Sequence, residues 1–402
     1  SDFNGGPVLI TDGHPTCGAF QTTVDAVIVP TARYGAFTSP AAITNGLDAG
    51  ESLTVTLANS TRPCAGFVLS GVTNLTDDTT ITLVGGAGTV VTTVEPIYLP
   101  HWYVDAVNGN DLSNGFTRVS AKKTLKGIMD LGNNLYSGDT IHAAEGVYAD
   151  GEMTFETGAL AARVVVTKGV TLLADGDRAK TIIKGGSATS GGDALGNGPG
   201  AVRCVVLANF QSVIRGFTLC GGRTHTADAL PSPVADYVGG GVYSDSAGLG
   251  NGAQVIDCVI TNCCAMRGGG GFNRIDYINC LFVDNRATVN RSAMTGGSAY
   301  NCVFTRNRGP NCLQNVNNIV NCTLFNNYEN AVDETDMTVT YDIAIPNSGA
   351  AVINTVAKGP VKGLSTSHFY ASNCVFNATY DNSNYKNNNY YDEATKVVDE
   401  AQ

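Results

Sequence analysis

The chain has 402 residues, of which 48 are glycine, 15% are charged and 43% are hydrophobic, and its formal net charge is −11. So much glycine disfavours a helical protein, and the hydrophobic content exceeds that of disordered chains, so we predict an all-β fold. The negative charge disfavours nucleic acid and anionic membranes as partners. We find no apolar run long enough for a membrane-spanning segment, and we expect an exported, extracellular or cell-surface protein.

Residues 1–99 are predicted to form a separate small β domain. Three stretches, at 24–29, 52–57 and 79–84, alternate or run apolar at strand length, and turn-forming residues separate them. A β-sandwich or jelly roll is the expected arrangement. Cys17 and Cys64 stand apart from the other cysteines and are a candidate disulfide pair.

The pattern changes at His101, where we place the start of a second region covering residues 100–402. Residues 124–131 carry apolar side chains at helical spacing, which predicts a short helix. Residues 137–148 follow as a strand with turns on both sides.

A cluster of oxygen-bearing side chains lies just before this helix. Asp105, Asn108, Asn110 and Asp111 offer four oxygen ligands within seven residues, which makes them a candidate Ca²⁺ site. The alternative is that these side chains bond to their own backbone in tight turns. The EF-hand pattern is absent from this segment.

The decisive feature of the second region is an internal repeat. Cys258, Cys280, Cys302 and Cys322 are spaced by 22, 22 and 20 residues, each preceded by Asp or Asn and followed by a short apolar strand. Cys374 begins a fifth copy, displaced by an insertion. A repeat of this length, with period-2 strands and no helix, is one coil of a parallel β-solenoid.

The repeat also explains most of the 12 cysteines. Equivalent positions on successive coils lie one strand spacing apart, so we expect a stacked column of small buried thiols rather than disulfides. The asparagines beside them can adopt the left-handed conformation and stack into an amide ladder. Cys204 and Cys220 are a weaker candidate disulfide pair.

The opening of the second region resembles the first coil of the pectate-lyase-like superfamily of right-handed β-helices. The matching residues are Tyr103-Val104-Asp105, Lys123-Thr124-Leu125, Gly138-Asp139-Thr140-Ile141 and Gly146-Val147-Tyr148. The later Asn-Cys repeats are similar to those of bacterial surface β-helix proteins and adhesins. The resemblance implies a right-handed parallel β-helix whose open end is capped by the short helix. It does not decide the function, because the superfamily includes lyases, hydrolases, epimerases and adhesins.

A polysaccharide lyase would need a base, usually Arg or Lys, and a cation or Arg to neutralise a uronate carboxylate. No lyase, hydrolase or epimerase motif of the superfamily is present. By position alone, the candidate catalytic residues are Arg267, Arg274, Arg286 and Arg306, with Arg291 and Arg308 beside them. Asp276 and Asp284 are candidate Ca²⁺ ligands on the same coils.

His225 and Asp228 lie in an insertion at 221–238 and are candidate binding residues, because loops on a rigid scaffold often carry binding sites. The alternative is a solvated loop with an incidental histidine.

The leading functional hypothesis from the sequence is a structural or adhesin-like surface protein that binds a glycan or assembles with its own copies into fibres. Stacking explains the repeat, and no catalytic set converges. The alternative hypothesis is a polysaccharide lyase, or a related carbohydrate-active enzyme, that acts on uronate-containing polymers with Arg or Lys and Ca²⁺.

Overall fold

The computed structural model describes residues 52–58, 60–69, 72–75, 80–84, 91–155, 159–226, 234–245, 252–336, 338, 341–344 and 351–358. It also describes residue 374 and the short strands named below that lie before residue 52 and after residue 358. The chain divides into two compact units, Ser1–His101 and Trp102–Gln402. Within the described part, no helix is long and apolar enough to cross a membrane.

The first unit contains two four-stranded sheets. One sheet has the strand order Ala26–Ile28, Val91–Tyr98, Cys64–Leu69, Val72–Leu75. The other has the order Ala19–Gln21, Thr80–Val84, Ser52–Ala58, Ala36–Phe37, and a hairpin joins Ile10–Thr11 to His14–Pro15. Val55 and Leu83 of one sheet and Phe67 and Val94 of the other belong to one buried cluster, so the sheets pack face to face as predicted.

The second unit is a right-handed parallel β-helix built from three long sheets, which confirms the predicted fold. Each coil visits sheet A, then sheet B, then sheet C. In one coil the chain passes through Ala253–Ile256 in sheet A, Val259–Thr261 in sheet B and Gly271–Phe272 in sheet C, then returns to sheet A at Ile275–Ile278. Buried side chains from all three sheets form a single continuous core.

Sheets A and B have ten strands each, numbered by their order along the helix axis. The strands of sheet A are His101–Val104, Thr140–Ala143, Thr171–Ala174, Val213–Arg215, Ala253–Ile256, Ile275–Ile278, Ser298–Tyr300, Asn318–Val320, Ala351–Ile353 and Tyr370–Ser372. The strands of sheet B are Gly146–Tyr148, Thr181–Lys184, Thr218–Cys220, Val259–Thr261, Leu281–Val283, Val303–Thr305, Thr323–Phe325, Val356–Ala357, Val375–Phe376 and Tyr390–Tyr391.

Sheet C has nine strands, and a two-stranded sheet lies between sheets B and C on two of the coils. The strands of sheet C are Met153–Thr154, Ala161–Val166, Val202–Leu207, Val242–Ser244, Gly271–Phe272, Met294–Thr295, Asn311–Gln314, Tyr341–Ala344 and Val361–Lys362. The two-stranded sheet pairs Cys264–Arg267 with Arg286–Asn290.

The predicted capping helix spans Leu125–Met129. Thr124 begins it, because its hydroxyl accepts a bond from the Gly127 amide at 2.8 Å. Leu125 and Ile128 are fully buried in the core of the β-helix, so the helix covers the apolar interior at this end. Two 3₁₀ turns, Gly132–Asn134 and Val234–Tyr237, complete the helical elements of the described residues.

The cysteines of the repeat occupy one buried position on successive coils. Cys280 donates its thiol to the Val255 carbonyl at 3.3 Å, and Cys302 and Cys322 bond in the same way to Tyr277 and Ala299 on the preceding coil. Burial raises the pKa of the Cys258 thiol to about 12. Cys374 is also buried, and its thiol donates to the Val352 carbonyl at 3.3 Å.

Two ladders of amide side chains run along the axis. The outer ladder lies in the turn between sheets A and B and contains Asp257, Asn279, Asn301, Asn321 and Asn354, all with positive φ. Each Asn Nδ2 of the outer ladder donates to the Oδ1 of the preceding coil at 3.0–3.2 Å. This is the predicted stack, and its positive φ follows from the tolerance of Asn for the left-handed region.

The inner ladder consists of Asn285, Asn307 and Asn327, which are fully buried in the turn after sheet B. Asn285 donates to Asn307 and Asn307 donates to Asn327, both at 3.0 Å. Each of the three also donates to a backbone carbonyl of the preceding coil. The inner ladder therefore satisfies polar groups that burial would otherwise leave without partners.

Candidate functional site

Two of the arginines predicted as catalytic candidates form ion pairs within the chain. Arg306 holds Asp284 with two bonds of 2.9 Å, and Arg286 pairs with Glu334. A guanidinium that is already paired with a carboxylate is a poor base and a poor receptor for a second anion. The prediction that Arg286 and Arg306 are catalytic does not fit this arrangement, nor does Ca²⁺ binding by Asp284.

Arg308 also has a structural position. It is 8% exposed, and its guanidinium donates to the carbonyls of Asp333, Glu334 and Asp336 at 2.8–3.2 Å. The same guanidinium lies over the Tyr328 ring, 4.7 Å from its centroid. Arg308 therefore fixes the loop that follows the fourth repeat.

A different arrangement is present beside sheet C, where Arg267 and Arg291 lie on neighbouring coils. Arg267 ends one strand of the two-stranded sheet, and Arg291 follows the other strand directly after Asn290. Arg267 and Asn290 are register partners across this sheet. We call Arg267 and Arg291 the guanidinium pair.

Neither member of the guanidinium pair has a carboxylate partner in the described part of the chain. The Arg267 side chain makes no hydrogen bond there, and its Nε is buried without an acceptor. Arg291 donates through Nε to the Gln314 side-chain oxygen at 2.8 Å. The Asn290 side-chain oxygen, next to both, is buried without a donor. Buried polar atoms without partners are rare in folded proteins, and here two of them occur on register partners.

The backbone at Arg291 is held in the left-handed region, with a φ of 68°. The equivalent turn is occupied by glycine on the preceding coils, Gly239 with a φ of 64° and Gly268 with a φ of 63°. A side chain other than glycine costs about 1–2 kcal/mol in this conformation. The turn thus carries an arginine at a position whose backbone favours glycine.

The electrostatics of the guanidinium pair differ from those of the ion-paired arginines. Burial lowers the pKa of the Arg291 guanidinium, and the nearby positive charge of Arg267 lowers it further. Asp284 has the opposite effect on Arg306, because its hydrogen bonds and charge raise the pKa of that guanidinium. The guanidinium pair is therefore a concentration of positive charge that an anion would stabilise.

Arg274 and Asp276, the remaining candidates on these coils, lie on the side of sheet A. Arg274 is exposed in the turn before Ile275–Ile278, and Asp276 is half-buried on the outer face of that strand. Burial raises the pKa of the Asp276 carboxyl, although hydrogen bonds with Ser298 oppose this. Asp276 and Asp284 belong to different sheets, so the structure does not bring them together as a Ca²⁺ site.

His225 lies near the turn Val234–Tyr237, and its Nδ1 is 3.9 Å from a carboxylate oxygen of Asp236. Asp236 is buried and accepts bonds from the Ala159 and Leu160 amides, each at 3.0 Å. Asp228, the predicted partner of His225 in binding, lies outside the described residues.

The four candidate Ca²⁺ ligands near the capping helix are occupied by local bonds. Asp105 accepts from the Val107 and Asn108 amides, and Asn110 accepts from the Leu112 amide. Asp111 accepts from the Thr124 amide and hydroxyl at the start of the helix. This is the turn alternative considered above. Among the described residues, no group of three or more His, Cys, Asp or Glu side chains could hold a metal ion.

The disulfide candidates have different outcomes. Cys204 and Cys220 are free thiols, and the Cys204 thiol donates to the Cys220 carbonyl at 3.4 Å instead of forming a bond between sulfur atoms. This pairing was therefore wrong. Cys17 lies outside the described residues, so its pairing with Cys64 stays a prediction.

Sequence reasoning missed two residues of the site, Asn290 and Gln314. Both belong to runs of polar and β-branched residues that resemble every other coil, and only the register places them beside the arginines. It also missed a polar cluster on the first coils, where Asp175 accepts from His142 at 2.7 Å and pairs with Arg118 at 2.6 Å. Tyr103 stacks on His142 in this cluster.

No protein-family model and no curated protein matches the chain. Among solved structures, a rhamnogalacturonan lyase is 14% identical with a TM-score of 0.40 over 69% of this chain and 72% of its own. A pectin methylesterase bound to a hexasaccharide is 13% identical, with a TM-score of 0.41 over 64% and 85%. A pectate lyase is 13% identical, with a TM-score of 0.40 over 72% and 79%. No residue role is transferred from these proteins.

Proposed function

We propose that this chain is an extracellular carbohydrate-active β-helix protein that cleaves uronate-containing polysaccharides by β-elimination at the guanidinium pair. One observation carries the proposal: two neighbouring arginines are available to an anion. Other described arginines are paired with carboxylates, namely Arg118, Arg163, Arg215, Arg286 and Arg306.

The chemistry of β-elimination requires two things of the protein. A base removes the proton α to the uronate carboxylate, and the electron pair expels the glycosidic oxygen on the adjacent carbon, leaving a carbon–carbon double bond. The charge that develops on the carboxylate must be stabilised while this happens. A positive group close to a base of lowered pKa meets both requirements.

In this scheme Arg267 binds the carboxylate, because its guanidinium offers a planar set of donors suited to that group. Arg291 takes the proton, because burial and the charge of Arg267 favour its neutral form relative to an exposed arginine. A Ca²⁺ ion is not needed for either role, although a cation bridging the polymer and the protein would assist the first.

The structural or adhesin-like hypothesis predicts binding to acidic glycans without cleavage. The same guanidinium pair would serve that function, and self-assembly into fibres stays a separate prediction. The lowered pKa of Arg291 favours the catalytic form of the proposal over simple binding, since binding alone would be served by ordinary arginines.

The test measures polymer binding and the ultraviolet absorbance of the unsaturated product, with several uronate polymers and a neutral polymer, with and without Ca²⁺. Arg267→Gln and Arg291→Gln should each lower the cleavage rate about 100-fold or more. Arg306→Gln is the matched control and should cleave normally, because Arg306 is exposed and ion-paired on a neighbouring coil.

Cleavage that survives both substitutions would contradict the role of the guanidinium pair. Binding without cleavage would overturn β-elimination in favour of the adhesin-like hypothesis. A wild-type protein that neither binds nor cleaves any uronate polymer would overturn the proposed function altogether.

A further inference from the structure

The partner of Arg291 is an uncharged amide. Gln314 ends the strand Asn311–Gln314 of sheet C, where it is the register partner of Thr295. Its side-chain oxygen accepts the Arg291 Nε–H at 2.8 Å. A bond to Nε fixes the plane of the guanidinium while leaving its terminal nitrogen atoms unused by this contact.

The same coils show what a carboxylate does in this role. Arg306 receives two bonds from Asp284, one of them at its Nε, and these bonds raise its pKa. Arg291 has an amide oxygen at its Nε, and its pKa is lowered. The two arginines differ in burial as well, but the sign of the neighbouring charge acts in the same direction.

A carboxylate at position 314 would also compete with the ligand. The proposed substrate is an anion, so a negative side chain bonded to Arg291 would repel it and cancel part of the charge that attracts it. An apolar side chain would avoid this but would leave the guanidinium without a fixed orientation. Glutamine has the required acceptor without the charge.

We propose that Gln314 is a positioning residue that orients Arg291 toward the polysaccharide while keeping the site free of a competing carboxylate. This inference rests on the proposed function and names a residue that acts through Arg291. It predicts that charge at position 314, and not merely its size or its fold, controls the site.

The test compares Gln314→Glu with Gln314→Ala in the full chain. Gln314→Glu should shift the rise of the pH–rate profile to higher pH, because the added charge favours protonated Arg291. At a fixed pH below that rise, it should lower the cleavage rate at least about tenfold and weaken binding of uronate oligomers. Gln314→Ala should lower kcat through lost orientation while leaving the profile at the same pH.

Gln211→Glu is the matched control, because it adds the same charge at an exposed turn residue before sheet A. It should leave both rate and profile unchanged. Urea unfolding of every variant separates a damaged fold from a changed site.

A Gln314→Glu variant that folds, binds and cleaves with the wild-type pH profile would overturn the inference while leaving the proposed function intact. If the wild type binds without cleaving, the binding measurement decides, and unchanged affinity in Gln314→Glu overturns it. Wild-type protein without binding or cleavage would overturn both, and that result is recognisable before any variant is made.

Discussion

The amide ladders and the guanidinium pair lie on the same coils but differ in how their polar groups are satisfied. In the inner ladder, each buried asparagine bonds to the asparagine of the next coil and to a backbone carbonyl. In the guanidinium pair, Arg267 has no hydrogen-bond partner in the described part, and Arg291 bonds only to an amide.

This difference has a general meaning for a solenoid. Repetition places like residues above one another, and asparagine can donate to and accept from its own copy. Arginine has donors only, so two stacked arginines repel each other and cannot satisfy one another. Arginines on neighbouring coils without carboxylates are therefore not explained by stacking, and we attribute them to ligand binding.

The largest expected effect comes from removing the guanidinium pair. The double variant Arg267→Gln, Arg291→Gln should lose about a hundredfold or more in affinity for uronate oligomers, since hydrogen bonds to charged groups contribute about 1.5–3 kcal/mol each. Its stability in urea should stay equal or rise slightly, because two like charges are removed. A double variant that binds normally, or that unfolds much more easily, would erase the distinction between the two sets.

The next largest effect is expected in the inner ladder. Asn307→Ala removes the acceptor of the Asn285 amide and side chain and the donor to Phe282 and Asn327, all fully buried. Leaving such groups without partners should cost about 3 kcal/mol in the free energy of unfolding. Urea denaturation measures this, and uronate binding by the folded variant should not change. A cost under about 1 kcal/mol would show that the ladder adds little.

The outer ladder should matter less, because water can replace its bonds. Asn301→Gly keeps the left-handed backbone, where φ is 53°, and removes only the stacked amide, so we expect a loss of about 0.5 kcal/mol. Asn301→Ala also forces a side chain without amide into that conformation and should cost about 1–2 kcal/mol. If the two variants were equally stable, the amide rather than the backbone would dominate at this position.

The smallest effect concerns Asp276. Burial raises its pKa above the ordinary value of 3.8, so the folded state holds this proton to higher pH than the unfolded state does. Stability from this group is therefore fully present below pH 3.8 and falls as the pH rises through the raised pKa. Asp276→Asn should remove that fall and stabilise the neutral protein by less than about 1 kcal/mol, because the group is half exposed. Urea midpoints compared at acid and neutral pH measure the difference, which should vanish at the acid end.

The sequence by itself determined the coil architecture. The recurrence of Cys258, Cys280, Cys302 and Cys322 at nearly constant spacing requires a stacked repeat, and the asparagine beside each cysteine predicts the left-handed turn and its ladder. These are local properties, because a residue and its copy one coil away share the same environment. The capping helix follows equally from its own apolar spacing.

Only the tertiary structure decided which arginines are free. Arg286 is neutralised by Glu334, which lies 48 positions further along the chain, and Arg308 is held by the same loop. Arg267 and Arg291 acquire their proximity from the register of two short strands, and nothing in their flanking residues indicates it. Charge pairing depends on distances across coils and loops, which spacing along the chain does not specify, and this is why the sequence proposed six arginines without distinguishing among them.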